Sequence, residues 1–494
     1  MDRSADVEPL WNDSVELADA GLRSVRGGVY RVSGYLVGSA LSAVAAILLL
    51  RYLGVANFGR YATVMSIVAI VLGLSDLGLT LVGQRDYMFQ QTEEDRRRLT
   101  ANILGIRLAV TPVAVVLALL FCIAAGYQPT VVVGTLIVGA SLLFGNAALT
   151  FMLPLTGKLR FGALAAAETG KQLVIVGGNW LFVALGAGLV AFFGVQFAAA
   201  VGLLLFVSAF VGRRLLTWPR FSLPEWSAIL REAAPMGIAV VVSVLYLRTL
   251  VVMASLLTSA YQTGLFATSY RILEMIVVVP GLMVGTAFPI MSRVGLDDLA
   301  RLRYILQRLI ETSLLVGVLL VLVLVMAAEP IVVILGGHAY EAAAPVLQIQ
   351  SFALLGSFVS VVWTTALVAV RRQSDLLIIN TVALVSVVVL GGSLIPLFGA
   401  KGAAAAAVAG EALLALVALL MLVRAQPQLR PDLRFAPKIG CAAAAAALCA
   451  LIPDLPALAR ASLAVAVYSL VAISVKAVPQ EVFDALSRRA PRPS

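Results

Sequence analysis

Few side chains in this sequence could do chemistry, and those that could are charges set among apolar residues. Arg248 stands in the run Tyr246-Leu247-Arg248-Thr249-Leu250. Arg271 and Glu274 lie three apart, which puts them on one face of a helix. Arg31, Asp76, Arg85 and Glu411 complete the set. A guanidinium is a planar fork that binds phosphate oxygens in pairs. Arg248, Arg271 and Arg31 around one water-filled cavity would therefore receive an anionic ligand, with Glu274 and Arg85 as further cavity residues. Each also has a structural reading. Arg31 and Arg85 can snorkel to headgroups, Arg271 and Glu274 can neutralise one another, and Asp76 and Glu411 are coupling or structural charges. Arg248 lies too deep to snorkel easily and is the strongest candidate.

Other chemistries find no residues to carry them. The single histidine, His338, falls in a loop between apolar runs, and no zinc-ligand spacing occurs. Cys122, Cys441 and Cys449 sit inside apolar runs as small packing residues. Gly170-Lys171 is followed by Gln172 and lacks the glycine spacing of a phosphate loop. No cofactor is expected, and no enzymatic activity: the longest polar stretches are too short for a soluble catalytic domain.

The elements that must position these charges are membrane helices. The 494 residues are 61% hydrophobic and only 13% charged, against about half and a quarter in soluble domains. So little polar surface cannot wrap such a core in water. The apolar runs are continuous rather than alternating, which selects helices over a barrel. At roughly 20 apolar residues per crossing, fourteen spans fit the sequence, near 30–50, 62–84, 102–125, 130–153, 166–185, 188–211, 234–257, 264–288, 306–328, 343–369, 376–397, 401–423, 437–453 and 458–476. Glu168 and Lys171 open the fifth, and the thirteenth stops at Pro453.

With a cytosolic N-terminus, the inner loops hold most of the Lys and Arg, among them Arg96, Arg97, Arg98, Arg371 and Arg372. The outer loops hold only Arg51, Arg60, Lys401 and Arg460. This alternation follows the positive-inside rule and places both termini in the cytosol of a cell-membrane protein. The net charge of +10 is thus spread over short loops facing anionic lipid, and nucleic acid is excluded as a partner.

The long connection with Pro219 and Pro224 divides the chain. Residues 1–28 are a polar tail, 29–212 a first lobe, 213–233 a linker, 234–424 a second lobe, 425–476 a terminal helix pair and 477–494 a second tail. The lobes echo one another: Gly59-Arg60-Tyr61-Ala62-Thr63 matches Gly264-Leu265-Phe266-Ala267-Thr268, and Leu185-Gly186-Ala187 matches Phe398-Gly399-Ala400. Parallel repeats of this kind are a transporter design with the substrate between the halves.

The run Arg51-Tyr52-Leu53-Gly54, then Phe58-Gly59, Tyr61-Ala62, Asp76-Leu77-Gly78 and Arg85, resembles the opening of Wzx-type polysaccharide flippases. Pro235, Arg248, Gly264, Arg271, Glu274, Pro280 and Pro289 extend the resemblance, which covers about residues 24–476. These flippases belong to the multidrug/oligosaccharidyl-lipid/polysaccharide exporter superfamily. The resemblance implies two six-helix lobes in a V, MATE-like, plus a C-terminal pair. It also implies alternating access that carries a polyprenyl-diphosphate-linked oligosaccharide across the membrane, with cavity arginines meeting the diphosphate. Membrane lipids, a polysaccharide polymerase and glycosyltransferases are the implied partners. Thr249 and Leu250 stand where many members carry an acid, so ion coupling there is not implied. A lipid II flippase shares the same charge logic. A MATE-type drug/cation antiporter would want an acid within the first lobe to bind cations; the first span has none, and the cavity candidates are mainly basic.

Overall fold

The computed structural model describes residues 11–158, 160–212, 215–452 and 455–478, with side chains from residue 37 onward. Much of the two expected tails, Arg213, Arg214 and the side chain of Arg31 lie outside the described residues.

The described chain is helical nearly throughout, as lipid requires of a backbone that must satisfy its own hydrogen bonds. Its helices are α1 (Trp11–Asp76), α2 (Leu79–Phe89), α3 (Glu93–Ala124), α4 (Pro129–Gly157), α5 (Phe161–Ala184) and α6 (Leu189–Val211), then α7 (Leu223–Leu257), α8 (Ala260–Ile276), α9 (Val278–Val294), α10 (Leu299–Met326), α11 (Ala328–Gly336) and α12 (Ala344–Ser351). They end with α13 (Ala353–Ala369), α14 (Asp375–Phe398), α15 (Ala400–Ala425), α16 (Ala436–Ala447) and α17 (Ala457–Ser474). Among the described residues, twelve helical stretches are long and apolar enough to cross a membrane. One of them, Val37–Phe89, is 53 residues long and holds two of the expected spans. The helix α5 falls short of that test because Glu168, Lys171, Gln172 and Asn179 dilute it. The chain is an all-α, multi-pass membrane protein.

Three expectations shift. The first helix begins at Trp11 rather than near residue 30, and it is broken at Gly54, whose φ of 69° is open to glycine at no steric cost. The expected span 264–288 is two helices, α8 and α9, that change over at Val277. Pro280 lies in the first turn of α9, where its missing N–H matters least. The thirteenth span is the short α16 followed by a 3₁₀ turn, Leu448–Leu451.

The chain forms two compact units. The first holds residues 1–45, 75–119 and 136–235, and the second holds 46–74, 120–135 and 236–494. One boundary falls at Pro235, and 46–74 and 120–135 pack within the second unit. The reason is a close helix crossing. A Cβ on Gly264 would come within 2.0 Å of the Val55 carbonyl oxygen, and one on Gly59 within 2.2 Å of the Ala260 carbonyl oxygen. The two glycines equated by the internal repeat therefore meet backbone to backbone, as small residues permit in lipid. Tyr127 and Ser255 add a hydroxyl–hydroxyl bond of 2.6 Å within the same unit. Elsewhere in that unit α14 and α13 pack along α15, and α16 along α17. In the first unit, Leu104, Phe151, Leu203 and Val207 join α3, α4 and α6, while Leu79, Ile103, Ile106 and Leu153 join α2, α3 and α4.

Candidate functional site

The second unit brings together the charges singled out on α7 and α8. The Glu274 carboxylate bridges two guanidinium groups: Oε1 lies 2.8 Å from Arg248 Nη1, and Oε2 lies 3.1 Å from Arg271 Nη1. Arg271 and Glu274 share a face of α8, as their spacing requires, and α7 supplies Arg248 from across. Ser259 caps the start of α8 by accepting from the Gln262 backbone N–H, which fixes the helix that carries this pair. Arg248 also sits 6.0 Å from the centroid of the Tyr270 ring, a cation–π distance. Tyr270 is held in turn by donating its hydroxyl to the Leu247 carbonyl at 2.8 Å. The three charged side chains stay 25–35% exposed, so the cluster is reachable. One carboxylate thus joins two guanidinium groups at a place open to solvent.

Glu411 occupies a different setting in the same unit. It accepts a 2.7 Å hydrogen bond from the Tyr246 hydroxyl and meets the Ser357 hydroxyl. These bonds tie α15 to α7 and α13 and give the carboxylate a structural partner on each side.

In the first unit, Asp76 is bound to a residue that sequence reasoning missed. Arg107, on α3, is completely buried and pairs with Asp76. It also donates to Thr80 Oγ1 at 2.6 Å, Thr150 Oγ1 at 2.8 Å and the Asn146 carbonyl at 3.4 Å. Thr80 donates to Asp76 Oδ1 at 2.5 Å, and Asn146 donates to Ser75 and Thr111. Burying two charges is costly unless hydrogen bonds compensate, and here both terminal nitrogens of the guanidinium are bonded while Nε has no partner among the described residues. The signal was present in the sequence: Arg107 interrupts the apolar run Ile103–Val110 just as Arg248 interrupts its own.

Thr80 also lines a cavity of about 540 Å³ within the first unit. Gly34 and Gly38 of α1 open one side, and α2, α4 and α5 supply the rest, including Glu168. Two of the polar residues that weaken α5 as a span, Glu168 and Gln172, thus face a cavity rather than lipid. Arg85 is not among the cavity residues. It pairs with Asp86 at 2.7 Å and with Glu232, half exposed. Among the described residues no group of three or more metal-ligating side chains is found.

Comparison with known proteins adds to this geometry. The family described as polysaccharide biosynthesis protein matches residues 24–294. Among solved structures, the chain is similar to the lipid II flippase MurJ in an inward closed conformation, at a TM-score of 0.76 and 13% identity, covering 93% of this chain and 100% of that one. It is also similar to an inward-facing MATE-family multidrug resistance transporter of the MOP superfamily, at 0.62 and 16%, covering 81% and 98%. A MOP-superfamily transporter from Pyrococcus furiosus aligns at 0.55 and 17%, covering 83% and 96%. At these identities the likeness is one of fold. No curated protein matches the sequence.

Proposed function

The chain belongs to the polysaccharide biosynthesis protein family, and from that premise we propose that it is a flippase for a polyprenyl-diphosphate-linked oligosaccharide. The protein lies in the cell membrane with both termini in the cytosol, following the distribution of its loop arginines. It carries the lipid-linked saccharide to the outer leaflet by alternating access. Polymerase and glycosyltransferases are the partners that would use and supply such a substrate.

The observation that carries this reading is Glu274 held between Arg248 and Arg271. A carboxylate bridging two guanidinium groups occupies the place a phosphoryl oxygen pair would take. An incoming diphosphate, with more oxygens and more charge, displaces Glu274 from the arginines. On release of the lipid, Glu274 closes back and discharges the site. The arginines are then never left facing one another without an anion, which keeps the empty site stable in both access states. Asp76 is already paired with buried Arg107, so it does not offer the free acid a drug/cation antiporter would want.

The test is translocation of a fluorescent polyprenyl-diphosphate saccharide by the full chain in proteoliposomes. Arg248→Ala is expected to abolish it while leaving insertion and folding intact, since Glu274 keeps Arg271 as its partner. Unchanged translocation by a correctly inserted Arg248→Ala protein would refute the proposal.

A further inference from the structure

The diphosphate is common to every polyprenyl-diphosphate-linked saccharide, so a cluster that reads it cannot tell one such substrate from another. The cavity of the first unit has the opposite character. Its charged lining is a single carboxylate, Glu168, which is paired with Lys171 at 3.6 Å. Among the described residues no arginine or lysine lines it, so the described lining does not suit phosphate. Ser39, Gln84 and Gln172 line it with one hydroxyl and two primary amides, and these side chains make no hydrogen bond among the described residues. Each amide keeps both donor and acceptor capacity. The rest of the wall adds the hydroxyl residues Ser42, Thr80 and Thr156 to apolar side chains, with Phe161 contributing an aromatic ring. The volume of about 540 Å³ lies within the range of small-molecule sites. A Cβ on Gly38 would meet nothing within 4 Å, so the α1 side of the cavity is open space.

A pyranose ring matches this lining: hydroxyls at its edge both donate and accept, and C–H groups cover its faces. We propose that this cavity is the saccharide-recognition site of the transporter and that it takes uncharged sugars, plain or N-acetylated. The inference rests on the flippase reading above. Gln84 and Gln172 serve as the reading groups for hydroxyl and acetamido substituents, and Glu168 accepts from a hydroxyl. Lys171, the cation beside Glu168, is already committed to that carboxylate, so the carboxylate of an acidic sugar finds no partner there and uronic acids gain nothing. A cationic drug gains little, because Lys171 already balances the carboxylate.

The experiment uses the full chain in lipid nanodiscs and measures binding of four polyprenyl diphosphates: bare, hexose-bearing, N-acetylhexosamine-bearing and uronic-acid-bearing. Ethidium serves as the cationic probe. One of the two uncharged sugar lipids is expected to bind about tenfold more tightly than the bare lipid, the gain of a few neutral hydrogen bonds. The uronic-acid lipid should show no such gain, and ethidium should not compete. Gln84→Ala/Gln172→Ala should erase the sugar-dependent gain and leave the affinity for bare lipid unchanged. Gly38→Leu, which fills the cavity without a backbone clash and suits a helix, should do the same. Equal binding of all four lipids, a preference for the uronic acid, competition by ethidium, or a sugar preference that survives both variants would each overturn the inference. Failure of the wild-type chain to bind even the bare lipid would instead overturn the flippase reading, so the two failures are distinct.

Discussion

Removing the Arg107 guanidinium should destabilise the protein far more than removing the whole ion pair. The side chain of Arg107 is 0% exposed and that of Asp76 14%. Arg107→Ala leaves the Asp76 carboxylate in the interior of the first unit with only Thr80 to answer it. Stripping one partner from a buried pair costs about 3–5 kcal/mol. Asp76→Asn should cost a comparable amount, because it strands the guanidinium. The double variant Asp76→Asn/Arg107→Met removes both charges and keeps a long apolar side chain in the space. Thr150 already donates to the Asn146 carbonyl at 2.8 Å, so its hydroxyl stays satisfied. The double variant should therefore fall within about 1 kcal/mol of wild type, as buried pairs replaced by apolar residues commonly do. The coupling between the two sites would then be about 5 kcal/mol or more, above the range usual for residues in contact. Equilibrium unfolding of the four proteins in lipid bicelles gives the cycle directly. Additive effects, or single substitutions each costing less than about 1 kcal/mol, would refute the reasoning and make the pair incidental to stability.

The glycine crossing predicts that Gly264→Val loses at least about 1–3 kcal/mol in the same unfolding assay, since its Cβ would collide with the Val55 carbonyl. Gly38→Ala, with open space around it, should cost nothing. Glu274→Gln takes the competing charge off Arg248 and Arg271, so binding of inorganic diphosphate to the reconstituted protein should tighten by about threefold to tenfold. Weaker binding would mean that the carboxylate is a ligand contact rather than a stand-in for one. In translocation, losing both Arg271 and Glu274 should hurt less than losing either, and additive damage would speak against their coupling. Tyr246→Phe removes the 2.7 Å bond to Glu411 and should cost about 1–3 kcal/mol in unfolding with no change in diphosphate binding.

Much of the site was legible because a charge in an apolar run has few explanations. Arg248 was visible from its neighbours alone, and the link between Arg271 and Glu274 followed from helical periodicity. The third link, Arg248 to Glu274, was not legible, because it joins two helices whose relative rotation no local pattern specifies. Arg85 illustrates the same gap. Its sequence context resembles that of a cavity arginine, yet Glu232, 147 residues later, claims it. Arg107 carried the same local signal as Arg248 and was passed over among the many residues of its span.

The sequence by itself determined that this is a helical membrane protein, roughly where its crossings lie and which residues interrupt them with charge. Those properties depend on composition, on the length of an apolar run and on local spacing, all of which are one-dimensional. The tertiary structure decided which charges neutralise one another. It brought Gly59 against the Ala260–Gly264 turn, buried Arg107 on Asp76, set Glu274 between two arginines and gathered the uncharged polar residues of α1, α2 and α5 around one cavity. Each of these depends on which face of a helix meets a distant neighbour, and the packing of the whole unit chooses that face.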